Sequence, residues 1–312
     1  MSKRINLAEQ IEKSLTVELA ALVKNAVAVA GNQNQPLYLV GGIVRDLLLG
    51  QANRAFDLDI VVEGDAVRLA GEFAEKVNER LIVHLMFNTA KIESGKWTID
   101  IAMARTETYA MPGALPVVTS GTLKTDLFRR DFTINAMAIS LNPDNYGELI
   151  DLYGGLKDLN SKSIRVLHDK SFIDDATRIW RAVRYEQRLG FHIEPETLSL
   201  LKRDIPLMKT VGGYRLRREM ELVLKEKEPE KALLRADELG VLNALHPSLK
   251  VDDWLVSRFR AAKQTGKANP DYYLGLLTYR LSEDDLRQIT KYLRFSVRQV
   301  KIINETRGMI LY

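Results

Sequence analysis

Apolar residues recur at helical spacing over residues 7–30, and the polar stretch after Gly31 ends this pattern. The short apolar stretch 37–40 predicts a strand, and residues 65–79 return to helical spacing. Three further runs, LIVHLMF, TAKIES and WTIDIAMA, have the composition and alternation that are typical of strands. Strands and helices are therefore mixed in the first half of the chain, which indicates an α/β architecture there.

The second half of the chain has a different pattern. From about residue 170 onward one helical pattern follows another, and no alternation convincingly predicts a strand. The predicted helices cover residues 171–190, 196–208, 213–226 and 229–239, with shorter helices to the end. The change falls at DLYGGLKDLN, residues 151–160, where paired glycines predict a domain boundary. Before it, MPGALPVVTSG, with two prolines and two glycines, predicts a mobile loop.

Composition excludes several classes of protein. The chain has no cysteine, which excludes disulfides and thiolate metal sites and suggests either a reducing compartment or indifference to redox conditions. No apolar run approaches the roughly 20 residues of a membrane span, and the start, MSKRINLAEQ, is too polar for a secretory signal. We therefore predict a cytoplasmic protein without membrane association. Its 312 residues, 46% of them hydrophobic, are enough for two or three domains.

Positive charge is concentrated locally, although the net charge of the whole chain is only +4. The clusters are Arg129 with Arg130, then Arg178, Arg181 and Arg184, and finally Arg215, Arg217 and Arg218. Such clusters suit a phosphate-rich partner. Solvent-exposed helix faces are the alternative explanation, and the last cluster fits both explanations equally.

Two glycines separate the strand LYLV from the helical stretch IVRDLLLG. The backbone N–H groups of Gly41 and Gly42, together with the start of the helix, could hold an anion. A tight turn needs glycine equally often, so the two glycines alone are a weak indication of a binding site.

The strand FDLDIV carries two acidic residues on one face. Because side chains alternate along a strand, Asp57 and Asp59 point one way and their apolar neighbours point the other way. Adjacent carboxylates repel each other unless cations neutralise them, which favours a divalent metal; a solvent-facing strand edge is the alternative. In TIDIAMA, Asp100 also faces away from the apolar side. The three carboxylates could hold two Mg²⁺ ions, one activating a hydroxyl and one binding a triphosphate and its leaving pyrophosphate.

The segment LFRRDFTINAMAIS brings two arginines next to an acid. The arginines suit phosphate, and Asp131 could accept a hydrogen bond from a ribose 2′-OH. Asp131 could also be the N-cap of a helix, and the two roles are compatible.

A last pair of charged residues lies in IDDATRIWRAVRYEQRLGF, residues 173–191. Three positions apart on a helix, Asp175 and Arg178 are expected on the same face, and a salt bridge within the helix is the default explanation. A different role follows if the pair faces a base. Cytosine and adenine present an amino donor next to a ring-nitrogen acceptor, which matches an Asp acceptor beside an Arg donor, whereas uracil and guanine present the reverse order.

Four motifs occur in an order that resembles the class II CCA-adding tRNA nucleotidyltransferases and the bacterial poly(A) polymerases, within the polymerase β-like superfamily. They are LVGGIVRDLLLG with FDLDIV, RRDFTINAMA, DLYGG and DDATRIWRAVRY, and the resemblance extends over about residues 35–245. It implies an α+β catalytic head, a mixed sheet with helices, over residues 1–155. An all-α neck with the base-selecting helix would then cover residues 156–226, and an all-α body, its tail short or missing, residues 227–312.

The resemblance also implies roles for individual residues. Asp57 and Asp59 are similar to the metal-binding catalytic pair, beside the Asp100 predicted above as a third catalytic carboxylate. The motifs and the resemblance together predict a nucleotide-binding set of Gly41, Gly42, Arg45, Arg130, Asp131, Asn135, Asp175, Arg178, Arg181 and Arg184. Within it, Asp175 and Arg178 are similar to the residues that select the incoming base without a nucleic-acid template. DLYGG is similar to a hinge between head and neck.

The implied activity is addition of CMP, AMP or both to the tRNA 3′ end, from CTP or ATP, with Mg²⁺ and release of pyrophosphate. No protein partner is implied. Full CCA addition, CC-only addition and A-only addition share all four motifs. TETYAMPGALPVV lies in a region that helps relatives switch from C to A, and its length argues against CC-only addition. The alternatives are a poly(A) polymerase and, in a different class, an inactive RNA-binding module.

Overall fold

The structure is a computed structural model that describes residues 5–51, 57–95, 97–266 and 269–308. It consists of two compact units. Unit 1 comprises Met1–Thr108 and Pro116–Ser161, and unit 2 comprises Tyr109–Leu115 and Lys162–Tyr312. The domain boundaries expected after residues 155 and 226 stay predictions.

The N-terminal apolar pattern forms two helices instead of the single one predicted over residues 7–30. Their bounds are Ala8–Ser14 (α1) and Val17–Asn32 (α2). Leu15 between them is extended, with φ −84° and ψ 142°. The hydroxyl of Thr16 accepts a hydrogen bond from the N–H of Leu19 and so starts the second helix. The prediction was wrong at this break because a side-chain cap competes locally with the helical spacing of apolar residues.

A seven-stranded mixed sheet forms the centre of unit 1. The strands of this unit are β1 Leu37–Val40, β2 Asp57–Val62, β3 Arg80–His84, β4 Thr89–Ser94, β5 Trp97–Met103, β6 Arg105–Thr108, β7 Val117–Ser120, β8 Met137–Ser140 and β9 Leu149–Asp151. The sheet order is β3-β4-β5-β2-β1-β8-β9, in which β2 and β5 are parallel and the other neighbours are antiparallel. The predicted strands are confirmed, except that LMF of LIVHLMF forms a 3₁₀ turn.

Helices cover the sheet and complete the core of unit 1. They are α3 Gly42–Leu48, α4 Ala66–Val77, α5 Leu123–Phe128 and α6 Gly155–Asn160. Helix α4, predicted over residues 65–79, begins where Asp65 accepts hydrogen bonds from the N–H groups of Val67 and Arg68. It packs on β4 and β5, with Phe73 fully buried. One face of the central strands therefore lies in the core and the other is left for polar residues.

The predicted mobile loop over residues 111–121 is partly a strand. Its second half forms β7, which pairs with β6 in an antiparallel hairpin from Arg105↔Ser120 to Thr108↔Val117. The prolines and glycines that predicted a loop lie largely outside the paired residues, whereas β-branched Val117, Val118 and Thr119 favour a strand. The prediction was wrong for this half because the prolines and glycines, which favour turns, were given more weight than the β-branched residues next to them, which favour a strand.

One carboxylate holds the DLYGG stretch. Asp151 accepts hydrogen bonds from the N–H groups of Tyr153, Gly155 and Leu156, at 3.3, 2.8 and 2.9 Å. These bonds satisfy N–H groups that the start of α6 leaves without a helical partner. Unit 1 continues through α6 and ends at Ser161. The role of DLYGG as a hinge stays a prediction.

Unit 2 is built from helices. They are α7 Ser171–Asp174, α8 Thr177–Leu189, α9 Pro195–Asp204, α10 Gly213–Leu224, α11 Pro229–Glu238, α12 Val241–Leu245, α13 Asp253–Gln264, α14 Pro270–Thr278, α15 Glu283–Leu293 and α16 Val297–Gly308. Their core includes the fully buried side chains of Phe172, Trp180 and Phe259. The mixed sheet of unit 1 and these helices confirm the predicted fold class. None of the helices in the described ranges combines the length and the apolar character needed to cross a bilayer.

Three details of unit 2 differ from the sequence prediction. The helix predicted over residues 171–190 is two helices, α7 and α8. The helix predicted over residues 196–208 changes after Asp204 into a 3₁₀ segment, Ile205–Thr210, because a proline at the start of that segment cannot donate a helical hydrogen bond. Two parallel two-residue strands, β10 Ser163–Ile164 and β11 His192–Ile193, were not predicted, since two residues are too few to show an alternation.

Candidate active site

The two acidic residues of β2 lie on the open face of the sheet of unit 1. Asp57 and Asp59 are exposed, while Leu58 and Ile60 between and after them are buried. The prediction that both carboxylates share one face is therefore confirmed by the burial pattern of the strand. The apolar face of β2 fixes the strand in the core, and this positions both carboxylates.

The third predicted carboxylate is on the adjacent strand. Because β2 and β5 are parallel and in register, Asp59 is directly opposite Asp100. On the next strand, β4, Lys91 is opposite Asp100, and its Nζ lies 3.4 Å from Asp100 Oδ2. An acid, an acid and a lysine therefore form a row across three strands. Sequence analysis missed Lys91, which the alternation in TAKIES places on this face only once the strand pairing is known.

The carboxyl group of Asp59 is held in a crowded electrostatic environment. Although Asp59 is exposed as a residue, neighbouring protein atoms displace much of the water around its carboxyl group, and this loss of hydration raises its pKa above the ordinary value. The negative charges of Asp100 and Asp57 raise the pKa further. The positive charges of Arg130 and Lys91 oppose this rise without cancelling it. The crowding of like charges is the condition under which a bound cation lowers the free energy of the site.

The donor set at this face consists of carboxylates, which are the ligands that hard divalent cations prefer. Within the described ranges, no group of three or more Asp, Glu, His or Cys side chains is arranged so that it could hold a metal ion alone. A pair of carboxylates still fits such a cation, because Mg²⁺ commonly takes one or two carboxylates and completes its coordination with water and substrate phosphates. Asp57 and Asp59 are the pair that fits.

The glycine turn passes beside these groups. Gly41 has φ +77°, a conformation that side chains rarely adopt. A Cβ atom there would lie 3.2 Å from Nη1 of Arg130 and 3.5 Å from Oδ2 of Asp59. The backbone of the turn thus passes close to both a carboxylate and a guanidinium, and the positive φ together with the tight approach to Arg130 favours glycine at this position.

A buried acid orients the arginine pair of unit 1. Asp126 is inaccessible to solvent and accepts hydrogen bonds from Arg130 at 2.9 Å and from Arg129 at 2.7 and 2.9 Å. Burial alone would raise the pKa of Asp126, but the charges of Arg130 and Arg129 outweigh it and hold the pKa below its ordinary value. The buried Nε of Arg130 has no hydrogen-bond partner among the residues that the structure describes. Sequence analysis missed Asp126, although it stands four residues before Arg130, a spacing at which opposite charges can pair near a helix end.

Arg45, Asn135 and Asp131 form a buried hydrogen-bonded chain. Nη1 of Arg45 donates to Asn135 at 2.7 Å, and the Asn135 amide donates to Asp131 at 3.0 Å. The same oxygen of Asp131 accepts from the N–H of Phe132. The expectation that Asp131 is the N-cap of a helix was wrong, because only a 3₁₀ turn follows and Phe132 occupies its cap position.

In unit 2, Asp175 and Arg178 are not on one helix face. Asp175 is extended, with φ −146° and ψ 97°, and lies between α7 and α8. Its carboxylate accepts hydrogen bonds from the N–H and hydroxyl of Thr177 at 3.1 and 2.7 Å. The other carboxylate oxygen pairs with Arg215 at 2.8 Å, and Arg178 donates to the Ser171 hydroxyl at 2.7 Å. The prediction was wrong in its geometry because Asp175 bonds to the backbone at the start of α8, which ends the first helix.

The other two arginines of α8 are held by acids. Arg184 is buried and pairs with Glu226 at 3.2 Å. Arg181 is one-third exposed, at 33% of its side chain, and lies 3.9 Å from Glu219. Both guanidinium groups approach the ring of Tyr185, at 5.8 Å for Arg181 and 4.9 Å for Arg184. Of the two, Arg181 therefore has more surface with which to meet a ligand.

Two family models match the chain. Residues 37–165 match the poly A polymerase head domain, and residues 190–252 match the probable RNA- and SrmB-binding site of polymerase A. The first match contains the carboxylates of β2 and β5, the glycine turn and the arginine pair. The mixed sheet, the two carboxylates of β2 and the glycine turn therefore all lie in the segment that matches a polymerase head domain.

Named relatives agree with these matches. The chain is 43% identical over 250 residues to the A-adding tRNA nucleotidyltransferase of Geobacter sulfurreducens, covering 79% of this chain and 28% of that protein. It is 49% identical over 191 residues to the A-adding tRNA nucleotidyltransferase of Aquifex aeolicus, covering 61% of this chain and 23% of that protein. The chain therefore spans about a quarter of the length of both relatives.

A solved structure extends the similarity to nearly the whole chain. The Thermotoga maritima CCA-adding enzyme complexed with tRNA CCA superimposes with a TM-score of 0.81 at 34% identity, covering 98% of this chain and 73% of that one. The chain thus belongs to the family of poly(A) polymerases and tRNA nucleotidyltransferases.

Proposed function

We propose that the chain is a template-independent tRNA nucleotidyltransferase that completes the tRNA 3′ end, with addition of the terminal AMP as the activity favoured among CCA, CC-only and A-only addition. The observation that carries the proposal is the pair Asp57 and Asp59 on the open face of β2, next to the Gly41 turn and Arg130. The choice of A addition rests on the names of the two relatives, at 43% and 49% identity.

Asp57 and Asp59 would hold the divalent cation, which we propose to be Mg²⁺. When bound, the cation would lower the pKa of the attacking 3′-hydroxyl and neutralise negative charge on the triphosphate and on its leaving pyrophosphate. The raised pKa of Asp59 supports this assignment, because a cation would offset both the lost hydration of the carboxylate and its repulsion from Asp100 and Asp57. Asp100 would accept hydrogen bonds near the reacting groups while paired with Lys91 at 3.4 Å.

Arg130 and the Gly41–Gly42 turn would bind the triphosphate. The Nε of Arg130 is without a partner in the described part of the chain, and its Nη1 faces the turn. Asp131 would accept the ribose 2′-OH. Arg45 is only 2% exposed and bonds to Asn135, so both residues would act by orienting Asp131 instead of contacting the nucleotide directly.

Selection of the base would fall to Asp175 and Arg178 in unit 2, with Arg181 and Arg184 as further contacts. An Asp acceptor and an Arg donor match the amino donor and ring-nitrogen acceptor of cytosine and adenine. Because the two side chains do not share a helix face, the base would have to meet them from separate positions. Arg215 supports the assignment of Asp175, since its ion pair fixes one carboxylate oxygen at 2.8 Å. A cytoplasmic location, with the tRNA 3′ end and CTP or ATP as partners, stays a prediction of the same proposal.

Poly(A) polymerase is the second candidate, favoured by the match of residues 37–165 to the head domain of that enzyme. A poly(A) polymerase extends an unstructured RNA through many cycles, whereas the proposed enzyme stops at the completed tRNA end. Incubation with ATP and either an unstructured RNA or a tRNA ending in CC separates them by product length.

The test of the proposal replaces the carboxylates. Asp57→Ala and Asp59→Ala should each lower AMP incorporation into tRNA by about 10³-fold, since a metal-bound carboxylate supports several kcal/mol of transition-state stabilisation. Binding of tRNA, measured by fluorescence anisotropy, should stay within about twofold of wild type. The exposed Asp144→Ala serves as the matched control. Unchanged incorporation in either variant would contradict the proposed mechanism.

A further inference from the structure

A groove in unit 2 lies where the start of α10 meets the end of α15. It has a volume of about 590 Å³ and is open to solvent. Its floor is a close approach of the two helices, because a Cβ atom on Gly213 would collide with the carbonyl oxygen of Tyr292. Only glycine permits this contact, so the groove is a fixed feature of the packing of the two helices.

Three exposed cations line the groove. They are Lys209 at the end of the 3₁₀ segment, Lys291 in the last turn of α15 and Arg294 immediately after it. None of the three side chains forms a salt bridge within the described ranges. By contrast Arg287, one turn earlier on α15, pairs with Asp284. The positive charge of the groove is therefore uncompensated, and the start of α10 adds the partial positive charge of a helix N-terminus.

The backbone of Arg294 adds a second observation. Arg294 has φ 52° and ψ 53°, the left-handed conformation at the C-cap of α15 that glycine or asparagine usually occupies. Its carbonyl oxygen accepts a hydrogen bond from Nη1 of Arg217, which holds the residue in place. An arginine thus stands, at a cost in stability, where glycine would be less strained.

We propose that this groove binds the phosphodiester backbone of the RNA substrate, with Lys209, Lys291 and Arg294 contacting phosphates. The inference rests on the proposed function. A shallow groove with cations from separate chain segments suits an extended polyanion, whereas a small-molecule site encloses most of its ligand. Lys209 lies in the segment that matches the RNA-binding family model, whereas Lys291 and Arg294 lie outside both matched segments, so the proposal extends the RNA contact to α15.

The test compares two triple variants of equal charge. Lys209→Gln, Lys291→Gln and Arg294→Gln are combined in one protein. The control combines Lys231→Gln, Arg287→Gln and Lys301→Gln, three exposed cations of unit 2 that are already ion-paired. The dissociation constant for a tRNA transcript is measured by fluorescence anisotropy at several KCl concentrations. Each lost phosphate contact removes roughly 0.7 to 0.9 from the slope of log K against log salt concentration.

The groove variant should bind tRNA at least about tenfold more weakly near 0.1 M salt, with a slope smaller by about 2. The control variant should stay within about twofold of wild type, with the slope unchanged. Equal losses in both variants, or no loss in the groove variant, would overturn the inference. If the wild-type protein itself neither binds nor extends tRNA, the proposed function fails instead, so the two failures are distinguishable.

A single variant separates a contact from a structural role. Arg294→Gly relieves the left-handed backbone and removes the cation, so the melting temperature should rise while the affinity for tRNA falls about threefold or more. The lost affinity should appear as a higher KM for tRNA, because the groove positions no reacting atom. A higher melting temperature with unchanged affinity would show that Arg294 does not contact the RNA.

Discussion

At the scale of single residues, the candidate active site places Asp59 among neighbouring charges that have opposite effects on its pKa. Asp59 has lost hydration and faces Asp100 and Asp57, so its pKa is raised, and Arg130 and Lys91 only partly offset this. A folded-state pKa above the unfolded value means that the native protein binds the proton more tightly. Asp59 therefore favours folding at low pH, and this contribution is lost as pH rises through its folded-state pKa.

Asp59→Asn should consequently raise the melting temperature at neutral pH while it abolishes incorporation. The amide keeps the shape of the side chain and removes the repelled charge, but it is a poor ligand for a divalent cation. Differential scanning calorimetry at pH 7 measures the first effect and a tRNA extension assay the second. A lower melting temperature would show that the ionised carboxylate stabilises the fold, against this interpretation.

Lys91→Met should shift the acid limb of the activity–pH profile toward higher pH. Activity requires ionised Asp59 and falls as pH drops through its pKa, and loss of the Lys91 charge raises that pKa further. The profile of kcat/KM against pH should shift toward higher pH while the plateau changes by less than about tenfold. Arg80→Met on the neighbouring strand, whose partner is Glu93, is the matched control. An unshifted limb would remove Lys91 from the electrostatics of the site.

Asp175→Ala should relax discrimination against UTP and GTP, or reduce the use of CTP and ATP. Asp175 also bonds to Thr177 and Arg215, so a structural effect must be separated from reading of the base. Arg215→Met breaks the same ion pair but leaves the acceptor. If both variants change nucleotide preference equally, Asp175 acts through packing and the base-reading role is contradicted.

At the scale of elements, periodicity predicted most helices and strands but not their breaks. The helices predicted over residues 7–30 and 171–190 are each two helices in the structure. Each break lies where a side chain, that of Thr16 or Asp175, accepts a hydrogen bond from a nearby backbone N–H. Such caps depend on one side-chain rotamer and leave no trace in apolar spacing. The same limit applies to the site: the alternation in FDLDIV predicted the shared face of two carboxylates, whereas Lys91 needed the strand pairing.

Asp151→Ala should destabilise the turn before α6. Three backbone N–H groups lose their acceptor, and each group left unsatisfied when partly buried costs about 1 kcal/mol, so the free energy of unfolding should fall by about 3 kcal/mol. Asp151→Asn keeps an acceptor and should cost less. Urea denaturation measures both variants, and equal losses would show that the negative charge matters more than the hydrogen bonds.

At the scale of the whole molecule, the order of four motifs predicted the family, and the comparisons bear this out. What the sequence could not predict is how the charged residues pair. Asp126 binds both Arg129 and Arg130 from a buried position, and Arg45 is turned inward to Asn135. These pairings depend on the packing of separate segments, which no local pattern contains.

The proposed activity is defined by the nucleotide that is added and by the RNA end that receives it. The most direct measurement offers ATP, CTP, UTP and GTP one at a time to tRNA transcripts that lack the CCA end or stop after its first C, second C or final A. We predict addition of a single A to the transcript ending in CC, and no extension of the complete CCA end by any nucleotide. Repeated A addition to the complete end, or no incorporation into any transcript, would contradict the account.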